Sequence, residues 1–288
     1  MDLFIGLVTH PRTRFPQSSG PDGLAMSLAR EWEQQGHRVT VEVFRDDAWT
    51  KSTLNIDSDE IARSLTAELA AESRWRFFQS PRSSKLALKA FMRARLAYRR
   101  RKFLPRDVIV DENHPGFRMV RRLVNIEIAH VTLLEHASTM GCDWALILED
   151  DASAEAPSTA VILDALMLNT AGTKQPLFVN VSRSFGEDRL RVDKHLTDIG
   201  GLPNADSHTR VLAATQPFTN TVCAVLYRGL FLPSLVSAIK EIPMSPIIPI
   251  DWKLNMALLN LNDADALASQ DCWALSPAPI TQGSMHTE

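Results

Sequence analysis

Apolar and polar positions along this chain switch repeatedly between a strand-like and a helix-like pattern. Leu3 to Val8 is a short apolar run that reads as a first, buried strand. A polar loop, Thr9 to Asp22, carries Pro11, Pro16, Gly20 and Pro21. Leu24, Leu28 and Trp32 then share one stripe, so Gly23 to Gln35 is predicted helical with Gly36 as its stop. Arg38 to Phe44 reads as a second strand, Asp107 to Asp111 as a third, Trp144 to Leu148 as a fourth and Pro176 to Ser182 as a fifth. Val120 to Met140 is predicted as a helix ended by Gly141 and leading into the fourth strand. Gly186 to Asn204, polar and glycine-bearing, is expected to be a mobile loop. Thr221 to Tyr227 reads as another strand, followed by a helix through Lys240. Pro243, Pro246 and Pro249 enforce an extended approach to a helix beginning near Asp251. Strands alternating with helices predict an α/β fold: a Rossmann-like, mixed but mostly parallel sheet flanked by helices, in a single domain spanning residues 1–288.

Charge changes this picture in one place. The chain has 31 Lys or Arg against 34 Asp or Glu, and its net charge of −3 gives no reason to expect nucleic-acid binding. Residues 73–106, however, hold twelve basic side chains and no acidic one, which leaves 31 − 12 = 19 basic against 34 acidic elsewhere. Leu88, Phe91 with Met92, and Leu96 recur there at helical spacing, so a basic helical insertion is expected at about 73–106. Three readings stay open. The helix packs a narrow apolar stripe on the core, residues 85–102 make a peripheral contact with an anionic membrane, or the same charge meets nucleic acid. No stretch approaches the roughly 20 apolar residues of a membrane span, and the first residues are too short and lack the basic flank of a secretory signal. Cys142, Cys223 and Cys272 are odd in number and far apart, which fits packed thiols in a reducing cytoplasm.

The chemistry concentrates in Glu149-Asp150-Asp151, directly after the apolar run Trp144 to Leu148. Three adjacent carboxylates repel one another unless a cation compensates. Hard oxygen ligands suit Mg²⁺ or Mn²⁺ shared with a substrate phosphate, which points to a metal-dependent enzyme acting on a nucleotide or phosphate. Strand alternation puts Glu149 and Asp151 on one face and Asp150 on the other. Thr9, His10, Arg12 and Arg14 follow the first strand, where open α/β sheets bind nucleotides, so Thr9, Arg12 and Arg14 are candidate contacts. Glu127 and His130 share a helix face, either as a buried pair or as a substrate contact. Asp251, at a helix N-terminus, is a candidate general base or a plain cap.

The segment Val120 to Ser153 resembles the lipopolysaccharide-type glycosyltransferases of family 25. Ala129-His130 stands where that family has Ser-His, and Gly141 to Asp151 matches its strand closing in Leu-Glu-Asp-Asp, nineteen positions on from His130 to Glu149. Pro249-Ile250-Asp251-Trp252 resembles the family's Pro-x-Asp segment, and Pro277 to Ser284 its proline-bearing end. Arg122-Leu123 departs from the family's Gly-Glu pair. Gly20 to Val43 also looks like the opening of GT-B enzymes, but no second Rossmann half follows. The resemblance implies a GT-A fold and a metal-dependent transfer of sugar, with inversion, from a nucleotide-sugar donor (a UDP-sugar) to a hydroxyl of a glycan or glycolipid. It further implies Mn²⁺ or Mg²⁺ held by Asp151, with Glu149 and a late histidine, His286, as further metal ligands. Glu149 and Asp150 are then expected at the nucleotide, Asp251 as the base, His130 and Glu127 toward the acceptor, and Glu187 to Asn204 as a lid. The expected location is cytoplasmic, peripheral on the inner membrane face where the basic segment binds lipid. A metal-dependent nucleotidyl or phosphoryl transferase and a non-catalytic membrane-docking module of the same fold are the alternatives.

Overall fold

The computed structural model describes residues 1–9, 13–45, 53–57, 107–111, 117–169, 176–183, 196–202, 209–214, 223–242, 250–268 and 271–283. The strands are β1 (Asp2–Thr9), β2 (Arg38–Arg45), β3 (Thr53–Asp57), β4 (Asp107–Asp111), β5 (Trp144–Glu149), β6 (Ala152–Ser153) and β7 (Phe178–Asn180). They continue with β8 (Ser182–Arg183), β9 (Leu196–Gly201), β10 (Arg210–Ala214), β11 (Ala224–Arg228), β12 (Cys272–Ser276) and β13 (Ile280–Gln282). The helices are α1 (Leu24–Gln34), α2 (Phe117–Met140), α3 (Ala156–Asn169), α4 (Leu232–Glu241) and α5 (Ile250–Asp263).

An eight-stranded mixed sheet, ordered β2-β1-β5-β11-β7-β12-β10-β9, forms the middle of an α/β fold. Alternation along β1 explains why both faces are covered. Phe4 and Val8 enter one core with Ala145 and Ile147 of β5, beneath α2, α4 and α5. Leu3, Ile5 and Leu7 enter the other with Leu146 and Leu148, beneath α1 and α3. A strand buried on both faces reads as an unbroken apolar run, which is what Leu3 to Val8 shows. Gly6 lets α2 sit close: a Cβ there meets Ile147 Cδ1 at 2.8 Å and Leu133 Cδ1 at 3.1 Å. The predicted helix stops hold, because Gly36 and Gly141 take positive φ (86° and 66°) that other residues adopt at a cost.

Three expectations need correction. The sheet is not mostly parallel: β2-β1, β1-β5 and β7-β12 are parallel, and the other four pairings are antiparallel. Asp107–Asp111 is a strand, but it pairs with Thr53–Asp57 in a separate two-stranded sheet. Within the supposed loop 186–204, Leu196–Gly201 is an edge strand, and a register shift opposite Val211 and Leu212 leaves Ile199 half exposed. The rest of that loop, apart from Leu202, and the basic segment 73–106 lie outside the described residues. Among the described residues, no helix is long and apolar enough to cross a membrane.

Candidate functional site

β1 and β5 run parallel and finish together, with Val8 opposite Glu149. Ligands in open α/β sheets bind beyond such carboxyl ends. The chain then turns through Asp150 and Asp151 into β6. The three acids point in different directions. Glu149 continues the inward alternation of Ala145 and Ile147, and its Oε1 accepts from His130 Nε2 at 3.3 Å. Asp150 Oδ2 accepts from Thr9 Oγ1 at 3.2 Å. Asp151 Oδ1 accepts from the Cys223 thiol at 3.7 Å, and Asp151 is only 6% exposed. Burial, followed by the charges of Glu149 and Asp151, pushes the Cys223 thiol far up, so it stays a neutral donor.

The turn is strapped from above by the C-terminal strand. β13 pairs with β6, Thr281 opposite Ser153 and Gln282 opposite Ala152. One residue later, Gly283 N–H donates to the Asp151 carbonyl at 2.7 Å. A Cβ on Gly283 meets that carbonyl oxygen at 3.0 Å and Phe15 Cε1 at 3.4 Å, so the loop after β1, the acidic turn and the chain's end converge here. Arg14, exposed, precedes Phe15. Arg12 and His286 lie outside the described residues.

Behind the turn, α2 carries three buried polar residues, Asn125, Glu127 and His130, at 2%, 1% and 0% exposure. Glu127 and His130 each have a partner on another element. Glu127 Oε1 accepts from the Lys253 ammonium of α5, and His130 holds Glu149. A carboxylate only accepts, so His130 carries its proton on Nε2, and its buried Nδ1 has no hydrogen-bond partner. Neither Glu127 nor His130 presents surface for an acceptor in this conformation. Asp251 is the second residue of α5, half-buried in the first turn rather than the cap before it.

Sequence reading missed Lys253, Cys223 as a partner of Asp151, and Gly283. A lysine beside Leu254, within a helix stretch buried from Lys253 to Leu259, was the available signal for the first. Among the described residues, no three His, Cys, Asp or Glu side chains are grouped to hold a metal ion. The donor set still suits a hard cation, because each engaged carboxylate keeps further acceptor capacity and Mg²⁺ takes one or two carboxylates plus phosphate oxygens. No protein-family model matches the chain, and no curated protein matches it.

Proposed function

We propose that this chain is a metal-dependent glycosyltransferase of the GT-A type. It moves a sugar from a nucleotide-sugar donor, a UDP-sugar by resemblance, to a hydroxyl of a glycan or glycolipid with inversion. The observation that carries the reading is the acidic turn 149–151 at the joined carboxyl ends of β1 and β5, strapped by Gly283. Asp151, with Glu149 or Asp150, would hold Mn²⁺ or Mg²⁺. That ion, when bound, supplies Lewis-acid neutralisation of the departing diphosphate.

The chain's own residues supply the rest. Thr9 and His130 hold Asp150 and Glu149 against their mutual repulsion. Asp251, in the first turn of α5 where the helix dipole favours an anion, takes the proton from the attacking hydroxyl. The strap at Gly283 holds the backbone of the turn at Asp151, three residues before His286 in sequence. Peripheral contact with an anionic membrane through residues 85–102 belongs to the same proposal and rests on charge pattern alone.

A thermal-shift series with UDP, with and without Mn²⁺, followed by donor hydrolysis over a panel of nucleotide sugars, tests this directly. Mn²⁺-dependent stabilisation and UDP release are expected, and Asp151→Asn weakens Mn²⁺ binding on the order of 10²-fold. Unchanged metal-dependent binding and turnover in Asp151→Asn overturns the assignment. Turnover of a nucleoside triphosphate with no sugar transfer marks the phosphoryl-transfer alternative.

A further inference from the structure

Two buried contacts leave α2 for different elements. Glu127, together with Lys253 of α5, forms an ion pair whose side chains are 2% and 5% exposed. His130, one turn further along α2 and wholly buried, reaches Glu149 at the head of the acidic turn. Glu127 and His130 are about 4.5 Å apart along the helix axis and share a face. Lys253 is two residues beyond Asp251 in the opening turns of α5. We propose that α2 is a positioning spine, whose Glu127 sets α5 and hence Asp251 through Lys253 while its His130 sets the acidic turn through Glu149. The geometry rests on these two contacts, and the consequence for catalysis rests on the sugar-transfer reading above.

Stability alone is a poor reason to keep such a pair, since hydrophobic replacements of buried ion pairs are often neutral or stabilising. What an ion pair has and an apolar contact lacks is direction. Apolar burial scales with area and is non-directional, so it does not single out one orientation as a charge pair does. A displacement reaction does not tolerate that freedom, because a misplacement of about 1 Å between base and reacting carbon costs roughly 10²-fold in rate. Lys253, Glu127 and His130 are therefore positioning residues, none of them touching the reacting atoms.

The test is the double variant Glu127→Met/Lys253→Met, which removes both charges together. It is expected to melt within about 5 °C of the wild type, with an unchanged Mn²⁺-dependent UDP shift and an unchanged donor KM. Its kcat falls on the order of 10²-fold, and amide exchange over Lys253 to Ala257 quickens about tenfold as local opening becomes easier. His130→Leu tests the other end by quickening exchange over Glu149 to Asp151 and lowering Mn²⁺ affinity about 10- to 100-fold. A double variant with wild-type kcat and wild-type exchange overturns the spine. If the wild type shows neither Mn²⁺–UDP binding nor donor turnover, sugar transfer fails, and exchange then decides the spine by itself: unchanged protection sinks it and faster exchange keeps it. Glu127→Gln, which keeps shape and an acceptor, takes the same readouts should the double variant fail to fold.

Discussion

Replacing Lys253 alone by methionine has a magnitude that follows from where its partner sits. Glu127 is 1% exposed, so losing the ammonium leaves a carboxylate with almost no access to water. Removing one partner of a buried ion pair costs about 3–5 kcal/mol. Lys240 provides the control within the same fold: it pairs with Glu135, also on α2, with side chains 59% and 34% exposed. Solvent screens that contact, and Lys240→Met is expected to cost about 0–1 kcal/mol. Urea unfolding at pH 7, comparing midpoints at equal slope, measures both. Adding Glu127→Met to Lys253→Met is expected to recover most of the loss, giving a coupling energy well above the 0.3–0.5 kcal/mol scatter of roughly additive pairs. A loss below about 1 kcal/mol for Lys253→Met refutes the reasoning. It means that the pair behaves like its surface counterpart.

The three thiols are buried, so none should react with a disulfide reagent at pH 8 until the protein is unfolded, when all three should. Prompt labelling of the native chain contradicts the packing. Burial, with minor help from Asp143 and Asp2, pushes the Cys142 thiol up to about 11 from 9.0. The stability this neutral thiol contributes is thus complete below pH 9 and is lost as pH rises through 11, and Cys142→Ala should flatten that part of a stability–pH curve. His37 Nε2 meets Asp164 Oδ1 at 2.7 Å, tying the entry of β2 to α3 with side chains 10% and 19% exposed. His37→Ala should cost about 1–3 kcal/mol in urea unfolding, and a loss under about 0.5 kcal/mol contradicts the contact. Gly283→Val pushes a side chain onto the Asp151 carbonyl and should cost about 1 kcal/mol while shrinking the Mn²⁺-dependent UDP shift. An unchanged melting point and shift show that the strap is not bound to the turn.

Local pattern carried most of the elements and little of their arrangement. Leu24, Leu28 and Trp32 gave α1 because one face is apolar and the other wet. α3 escaped for the opposite reason: Val161, Ile162, Leu163, Leu166, Met167 and Leu168 surround the helix, so no stripe stands out. β9 escaped because its Gly200 and Gly201 read as loop, whereas they occupy an irregular edge where glycine fits. The acidic turn was legible because three charges abut an apolar run. Its supports were not: Thr9 is 141 positions from Asp150, and Lys253 is 126 from Glu127. A polar residue in a helix says nothing by itself about a partner so far along the chain. His130 was singled out by resemblance, yet only the fold shows that its ring supports Glu149 from behind.

Strand direction, one of the expectations corrected above, has a consequence at the site. A short apolar run such as Ala224 to Tyr227 satisfies a parallel and an antiparallel neighbour equally well, so sequence pattern cannot orient it. In the fold β11 lies antiparallel to β5, with Ala224 opposite Leu148. Parallel strands present their last residues at the ligand edge, and an antiparallel neighbour presents its first. Cys223, immediately before β11, is thereby brought to Asp151, and its carbonyl accepts the Glu149 N–H at 2.8 Å. The reversed strand thus sets a neutral, weakly donating thiol against the most buried acid of the turn, where it eases repulsion without cancelling the charge. A lysine or arginine in that place would neutralise Asp151 and compete with any divalent ion. A thiol too far up to ionise adds no positive charge beside Asp151, which is compatible with the cation site proposed for this turn.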